Sequence, residues 1–84
     1  MYFVYIIYAK AHDKYYRGFS QDPYKRLKQH NNGESKYTSK YTPWELVFIQ
    51  KFDSKEKALM REKSLKKYSK AQILSLINTP LNIL

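Results

Sequence analysis

Two tyrosines of this 84-residue chain lie where their hydroxyls could act together. Tyr5 and Tyr16 belong to two aromatic segments that we expect to pair as strands, so their hydroxyls could emerge close to each other. Either one could instead be an ordinary packing residue, since the chain contains nine tyrosines. To act as a base, a tyrosine must lose a proton whose ordinary pKa is about 10. We expect the basic surroundings in this chain to lower that pKa.

Arg26 and His30 are four residues apart, so on a helix they share one face. The donors of an arginine match two oxygens of a phosphate, and a histidine can accept a proton near neutral pH. The pair therefore predicts a phosphate site with a proton acceptor beside it. The alternative is a basic helix surface with His30 near the C-terminal end of the helix.

Glu62 falls on the same helical stripe as Ala58 and Leu65, which we expect to face inward. A buried carboxylate costs desolvation free energy unless it is paired or binds a metal ion. Mg²⁺ is commonly bound by one or two carboxylates together with water and substrate phosphate oxygens, so a lone glutamate suffices. The alternative is an ion pair with Lys66, four residues on, which is worth only about 0.2–0.5 kcal/mol.

Three strands are predicted to position these side chains. Residues 2–8 are apolar on both alternating faces, which indicates a central strand that is buried on both sides. Residues 15–19 form a second strand and complete a hairpin, with Gly18 ending or bulging it. Residues 44–52 form the third, whose alternation places Leu46 and Phe48 on one face. Residues 31–43 lack periodicity and predict a surface loop.

Three helices are predicted from the residues at their ends. Each follows a side chain that can accept hydrogen bonds from the first helical turn. The predicted N-terminal residues are Ser20 or Asp22, Asp53 or Ser54, and Ser69. The predicted ends are Asn32-Gly33 for the first helix, Lys67 for the second and Thr79-Pro80 for the third.

The length predicts a single domain over residues 1–84 and excludes an enzyme with a separate cofactor domain. The absence of cysteine excludes disulfides, cysteine-ligated zinc and thiol nucleophiles. No apolar run is long enough to span a membrane and no leader is apparent, so we expect a cytoplasmic protein without a membrane partner.

Sixteen lysines and arginines against seven acidic residues give a formal charge of +9. The basic residues are densest over residues 51–70, which is typical of a surface that contacts phosphate backbones. The alternative is a solvated surface that keeps a small protein in solution.

Short motifs spread over nearly the whole chain occur in the order found in the GIY-YIG nuclease domain, which this sequence resembles. The matching segments are Phe3-Val4-Tyr5, Tyr16-Arg17-Gly18, residues 22–31, Lys36-Tyr37-Thr38, Leu46-Val47 and residues 58–63. The sequence is most similar to the small stand-alone branch. Larger relatives include the N-terminal nuclease domain of the bacterial excision-repair endonuclease and several homing endonucleases.

The resemblance implies an α+β fold in which helices flank a small three-stranded antiparallel sheet. It also implies a DNA endonuclease, of low or structure-directed specificity and with a place in DNA repair, that uses Mg²⁺ or Mn²⁺. By resemblance, Tyr5 or Tyr16 supports the attacking water, Arg26 steadies the phosphate and His30 assists proton transfer. Glu62 matches the metal-binding carboxylate, and Gly18 the closing glycine, where a side chain would crowd the site.

Departures from the pattern affect the expected partners. Phe3 and Val4 replace a glycine and an isoleucine, Arg17 adds a charge, and the C-terminal asparagine of many members is matched only loosely by Asn78. The residues expected to contact DNA, or RNA, are Arg17, Lys36, Lys63, Lys66 and Lys67. We expect a monomer or weak homodimer. The competing hypothesis is a nucleic-acid-binding module that has the same fold but does not cleave.

Overall fold

The computed structural model describes residues 1–84 as an antiparallel sheet of three strands with helices on both faces. The strands are β1 (Tyr2–Ala9), β2 (Lys14–Ser20) and β3 (Glu45–Phe52). The helices are α1 (Pro23–Asn31), α2 (Lys55–Leu65) and α3 (Lys70–Ile77), with short 3₁₀ helices at Lys10–His12 and Thr38–Tyr41. The expected α+β architecture is confirmed. No helix has the length and apolar character needed to cross a bilayer.

Strand β1 is central, as its two apolar faces predict, because the strand order is β2-β1-β3. Its alternating side chains enter two separate cores. One core lies under α2 and α3 and contains Val4, Ile6, Phe48, Ala58, Leu65, Ile73 and Leu76. The other contains Tyr5, Ile7, Ala9, Trp44 and Ile49, with Leu27 of α1 packed against it. The sheet therefore separates the Tyr5 side of the molecule from the α2 and α3 side.

Strand β3 contains a bulge that the alternating pattern did not predict. Ile6 pairs with Phe48 and the next residue, Ile7, pairs with Leu46, so Val47 is the extra residue. Val47 and Phe48 both contact the core under α2 and α3, whereas Leu46 packs on the Tyr5 side. The prediction that Leu46 and Phe48 share a face was wrong, because an extra residue reverses the alternation on one side of it.

Gly18 neither ends nor bulges β2, which continues to Ser20, so that prediction was also wrong. Gly18 pairs directly with Tyr5 across the sheet. A Cβ atom at position 18 would overlap the Tyr5 ring carbon Cζ and its hydroxyl, and would lie 2.7 Å from Cε1. Glycine is therefore required because the Tyr5 ring lies across its α-carbon.

The predicted helix starts are confirmed by their capping hydrogen bonds. Asp22 accepts from the Lys25 amide at 3.1 Å and Ser54 from the Lys57 amide at 3.2 Å, while Ser69 forms a capping box at the start of α3. Helix α2 ends at Leu65, two residues earlier than predicted. The chain turns there because the amide of Tyr68 donates to the carbonyl of Leu65.

Asn82 attaches the C-terminal segment to the outer edge of β3. Its side chain accepts from the amide of Ile49 at 3.1 Å and donates to the carbonyls of Val47 and Ile77 at 3.0 Å each. These contacts cover backbone groups of an edge strand that are otherwise unpaired. Asn78, the asparagine singled out by the sequence, instead lies exposed at the end of α3 and donates to the carbonyl of Leu74.

Replacing Asn82 by alanine is expected to lower the free energy of unfolding by about 1–3 kcal/mol, because buried partners lose their hydrogen bonds. Asn78→Ala is the matched control and is expected to cost less than about 0.5 kcal/mol, as exposed substitutions do. Urea denaturation followed by circular dichroism measures both. Equal stabilities of the two variants would show that the C-terminal segment is not attached in solution.

Candidate active site

A hydrogen-bonded network of three side chains joins the central strand, helix α1 and the following loop. The Tyr5 hydroxyl lies 2.8 Å from His30 Nε2, and His30 Nδ1 lies 2.7 Å from Thr38 Oγ1. All three residues are buried, with 1%, 0% and 0% of their surfaces exposed. The sequence placed Tyr5 and His30 at the site, but it did not predict that they would touch.

The hydrogen-bond partners assign the proton on His30. Thr38 Oγ1 has the carbonyl oxygen of Ser35 at 3.4 Å as an acceptor for its own hydrogen, so it accepts from His30 Nδ1–H. Nε2 is then the unprotonated nitrogen, and the Tyr5 hydroxyl donates to it. In this arrangement Tyr5 is a neutral donor whose oxygen lone pairs point away from His30.

Thr38 is positioned by contacts that the sequence did not reveal. The indole Nε1–H of Trp44 donates to the Thr38 carbonyl at 2.8 Å. The Asn31 side chain in turn accepts from the Trp44 amide at 2.7 Å and donates to its carbonyl at 3.0 Å. The predicted surface loop therefore contains a buried anchor, and Thr38 is part of the site. Its place in the Lys36-Tyr37-Thr38 motif was the available signal.

Burial, with a smaller contribution from the positive charge of Arg26, lowers the pKa of His30 from 6.5 to about 4. His30 is therefore neutral at physiological pH. This corrects the expectation that it accepts a proton near neutral pH. His30 is wholly buried, and its ring nitrogens contact only Tyr5 and Thr38.

Burial also raises the pKa of Tyr5 above its ordinary value of 10.0, against the expected lowering. The nearby Arg26 guanidinium opposes this rise, while Tyr16 and Glu62 add to it through their charges. Desolvation of a phenolate thus outweighs the favourable cation. The same influences show that Arg26, Tyr16 and Glu62 all lie within electrostatic reach of the Tyr5 hydroxyl.

Tyr16 is the more accessible of the two candidate tyrosines. It is partly exposed on β2, where it pairs with Ile7. Its ring meets the His30 ring edge-on at 5.1 Å between centroids and lies 6.0 Å from the ring of Tyr37. The structure therefore places Tyr16 between the buried Tyr5–His30 pair and the solvent-exposed Tyr37.

Arg26 borders a polar cleft at the start of α1. Its Nη1 donates to Gln29 Oε1 at 2.6 Å, which orients the guanidinium along the helix. The cleft has a volume of about 390 Å³ and is lined by Ser20, Gln21, Asp22, Lys25, Arg26 and Gln29. The cleft is net positive, with two cations against the single carboxylate of Asp22, and its cations and neutral donors can bind a phosphate group.

Glu62 lies on α2 with 21% of its side chain exposed. Its one ion pair is long, 3.9 Å from Oε1 to Lys66 Nζ, and the lysine side chain is 63% exposed. This is the alternative that the spacing left open, and it is weak. No group of three or more metal-ligating side chains exists in the chain. One accessible carboxylate fits Mg²⁺ that takes its remaining ligands from water and substrate phosphate.

The other residues expected to bind nucleic acid lie apart from the tyrosines. Arg17 pairs with Ile6, so its side chain lies on the opposite face of the sheet from Tyr5. There its Nη2 donates to the carbonyl of Tyr68 at 3.1 Å. The remaining candidates are exposed lysines on the loop and around the end of α2, namely Lys36, Lys63, Lys66 and Lys67.

Stability is expected to fall as the pH is lowered from about 6.5 towards 4, because the unfolded chain protonates His30 in this window and the folded chain does not. Up to about 3 kcal/mol present above the window is lost below it. Urea denaturation from about pH 8 to about pH 4 measures this loss. His30→Gln should flatten the profile, whereas His12→Gln, at the exposed second histidine, should leave it unchanged. An equally steep profile in His30→Gln would contradict the assignment.

Comparison with known proteins agrees with the geometry. A family model described as the GIY-YIG catalytic domain matches residues 1–75. A UPF0213 protein of Staphylococcus saprophyticus is 39% identical over 77 residues, which cover 90% of this chain and 93% of that protein. A UPF0213 protein of Halobacterium salinarum is 40% identical over 73 residues, covering 86% and 94%.

The fold has a solved counterpart in the same group. The solution NMR structure of a UPF0213 protein from Bacillus halodurans has a TM-score of 0.57 and 35% sequence identity, and the match covers 95% of this chain and 89% of that one. The resemblance seen in the motifs is thereby confirmed: the chain belongs to the GIY-YIG catalytic domain family and groups with the UPF0213 proteins.

Proposed function

We propose that this protein is a metal-dependent endonuclease that hydrolyses phosphodiester bonds in DNA. The observation that carries the proposal is the surroundings of the Tyr5 hydroxyl, where Arg26, Tyr16 and Glu62 all act on one buried group. A charge of +9 on 84 residues favours a polyanionic substrate. Membership of the GIY-YIG family supports nuclease chemistry at this place.

The scissile phosphate binds at the Arg26 cleft in this proposal. The guanidinium presents donors to two phosphate oxygens and stabilises the negative charge that develops during attack. Gln29 holds Arg26 in place through its hydrogen bond. A lysine at position 26 would keep the charge but lose this two-point geometry.

The tyrosines and His30 form the proton path of the proposed mechanism. A water molecule that approaches between Arg26 and Tyr16 can donate to the lone pairs that the Tyr5 oxygen turns away from His30. If Tyr5 takes that proton, its own can pass to His30 Nε2, 2.8 Å away. A bound phosphate offsets the Arg26 charge that lowers the His30 pKa, so substrate binding makes this transfer easier.

Glu62 is the proposed metal ligand. A bound Mg²⁺ or Mn²⁺ supplies Lewis-acid stabilisation of the phosphate oxygens. The residue fits this role because its carboxylate is partly exposed and is held only by a long contact to Lys66. Its charge also contributes to the raised pKa of Tyr5, which supports a place for Glu62 near the Tyr5 hydroxyl.

A binding module without cleavage is the second candidate function. The observation that favours it is the protonation state of the site. Tyr5 has a raised pKa and His30 a lowered one, so neither is a ready base at neutral pH in this structure. Such a module would still bind DNA through its positive surface, and binding would weaken steeply with salt.

The purified protein is expected to nick supercoiled plasmid with Mg²⁺ or Mn²⁺ and to stop when a chelator is added. Arg26→Ala and Glu62→Gln should each lower the rate by on the order of 100-fold or more, because each removes stabilisation of transition-state charge. Glu56→Gln, an exposed glutamate on the same helix, is the control and should cleave like the wild type. Unchanged nicking in Glu62→Gln would remove the metal assignment, and salt-sensitive binding without cleavage would select the binding module.

Replacing Tyr5 and replacing Tyr16 by phenylalanine are expected to have different effects on stability. Tyr5→Phe leaves the buried His30 Nε2 without its donor and should cost about 1–3 kcal/mol of stability as well as activity. Tyr16→Phe keeps the ring contacts of a partly exposed residue and should reduce the nicking rate with less than about 0.5 kcal/mol lost. Tyr24→Phe, at an exposed tyrosine on α1, is the control for both. A fully active, fully stable Tyr5→Phe would contradict the proton path.

A further inference from the structure

A second cleft lies beside β2, formed together with the start of α3. It has a volume of about 230 Å³. Its lining residues are Asp13, Lys14, Tyr15, Arg17, Tyr37, Tyr68 and Lys70. It shares no residue with the Arg26 cleft, so it is a separate depression in the surface.

The guanidinium of Arg17 is only partly satisfied by the chain. Its Nη2 donates to the Tyr68 carbonyl at 3.1 Å, Nε is buried without a partner, and Nη1 makes no hydrogen bond within the chain. Burial lowers the pKa of Arg17, which reflects the cost of removing this charge from water. Buried donors that lack partners are uncommon in folded proteins and call for an explanation. An anion in the cleft would offset the charge and could accept a hydrogen bond from Nη1.

The remaining groups of the cleft favour an anion. Lys70 adds a second cation to Arg17, against the single carboxylate of Asp13, which pairs with Lys70 at 2.8 Å. Lys14 pairs with Ala9, so its side chain lies on the Tyr16 face of the sheet, where its Nζ is 5.3 Å from the centre of the Tyr41 ring. Three tyrosines at positions 15, 37 and 68 line the rest of the cleft. The cleft is therefore net positive and lined by hydroxyl-bearing side chains.

The Arg17 cleft and the Tyr16 side chain lie on opposite sides of the free edge of β2. Tyr16 and Arg17 are consecutive on this edge strand, so their side chains lie on opposite faces of the sheet. Tyr37 joins the two sides, because it lines the Arg17 cleft while its ring lies 6.0 Å from that of Tyr16. A polyanionic strand that crosses the edge of β2 would pass from the Arg17 cleft to the Tyr16 side, where the Tyr5–His30 pair lies.

We propose that the Arg17 cleft is a second phosphate subsite, which binds a backbone phosphate flanking the one held by Arg26. The inference rests on the proposed function, because it takes the nucleic acid as the ligand of both clefts. It assigns to Arg17, Lys14 and Lys70 the role of setting where the strand lies relative to the Tyr5 and Tyr16 hydroxyls. The competing role for Arg17 is purely structural, as the residue that attaches the turn after α2 to the sheet.

Inorganic pyrophosphate is the probe for the subsite itself. Titrated at constant ionic strength into ¹⁵N-labelled protein, it should shift the Arg17 Nε–H signal and the backbone amides of Tyr37 and Lys70 together, with one saturation curve. Lys70→Gln leaves the Tyr68 contact intact and should weaken this curve. Arg26→Gln and Lys10→Gln, which lie outside the cleft, should not. Shifts confined to the Arg26 cleft would overturn the proposal.

DNA binding in the presence of chelator tests the role on the substrate. In Lys14→Gln and in Lys70→Gln, the magnitude of the slope of log K against log salt concentration should decrease by about 1, because one phosphate contact is lost. Lys10→Gln, an exposed lysine outside both clefts, is the matched control and should keep the wild-type slope. In cleavage assays the same two variants should raise KM with little change in kcat.

The outcomes separate this inference from the nuclease assignment. Pyrophosphate shifts at Arg17 in a protein that binds DNA but never cleaves it would preserve the subsite and reject the nuclease. Cleavage with wild-type salt slopes and KM in both lysine variants would preserve the nuclease and reject the subsite. Loss of stability in Arg17→Gln, with no change in pyrophosphate binding by Lys70→Gln, would select the purely structural role.

Discussion

The hydrogen bond between Tyr5 and His30 is the contact on which the rest of the site depends. Tyr5 can reach His30 only because its ring lies across Gly18 of the neighbouring strand, where any Cβ would overlap it. His30 is held from its other side by Thr38, and Thr38 by the indole of Trp44. One buried network of hydrogen-bonded side chains thus joins the sheet, α1 and the loop. Each of its members would be costly to bury without the next.

This network of buried hydrogen bonds explains how so small a protein maintains an ordered site without disulfides or a large core. Loops usually lie on the surface because their polar backbone groups need partners. Here the loop between α1 and β3 gains those partners from Trp44 and Asn31, and it inserts Thr38 into the interior. The same anchoring holds Tyr37 near Tyr16 at the edge of β2. The loop therefore contributes to both clefts while its anchor remains buried.

The Arg26 charge and burial act in opposite directions on the pKa of Tyr5 and in the same direction on that of His30. The chain has a formal charge of +9, and Arg26 alone favours an ionised tyrosine. Burial is the larger effect, so Tyr5 and His30 are both neutral at rest, and the cations lie at the rims of the two clefts. A site of this kind is electrostatically prepared for an anion. A bound anion would offset the Arg26 charge, which is one of the two causes that lower the pKa of His30.

The sequence by itself determined the three strands and the helix starts, because these depend on local patterns of two to four residues. It also determined the positive charge, which is a sum over the residues. The bulge at Val47, the attachment by Asn82 and the burial of Thr38 were decided only by the tertiary structure. So were the protonation states of Tyr5 and His30, which lie 25 residues apart in the chain. A pKa depends on desolvation and on neighbouring charges, and packing between distant segments sets both.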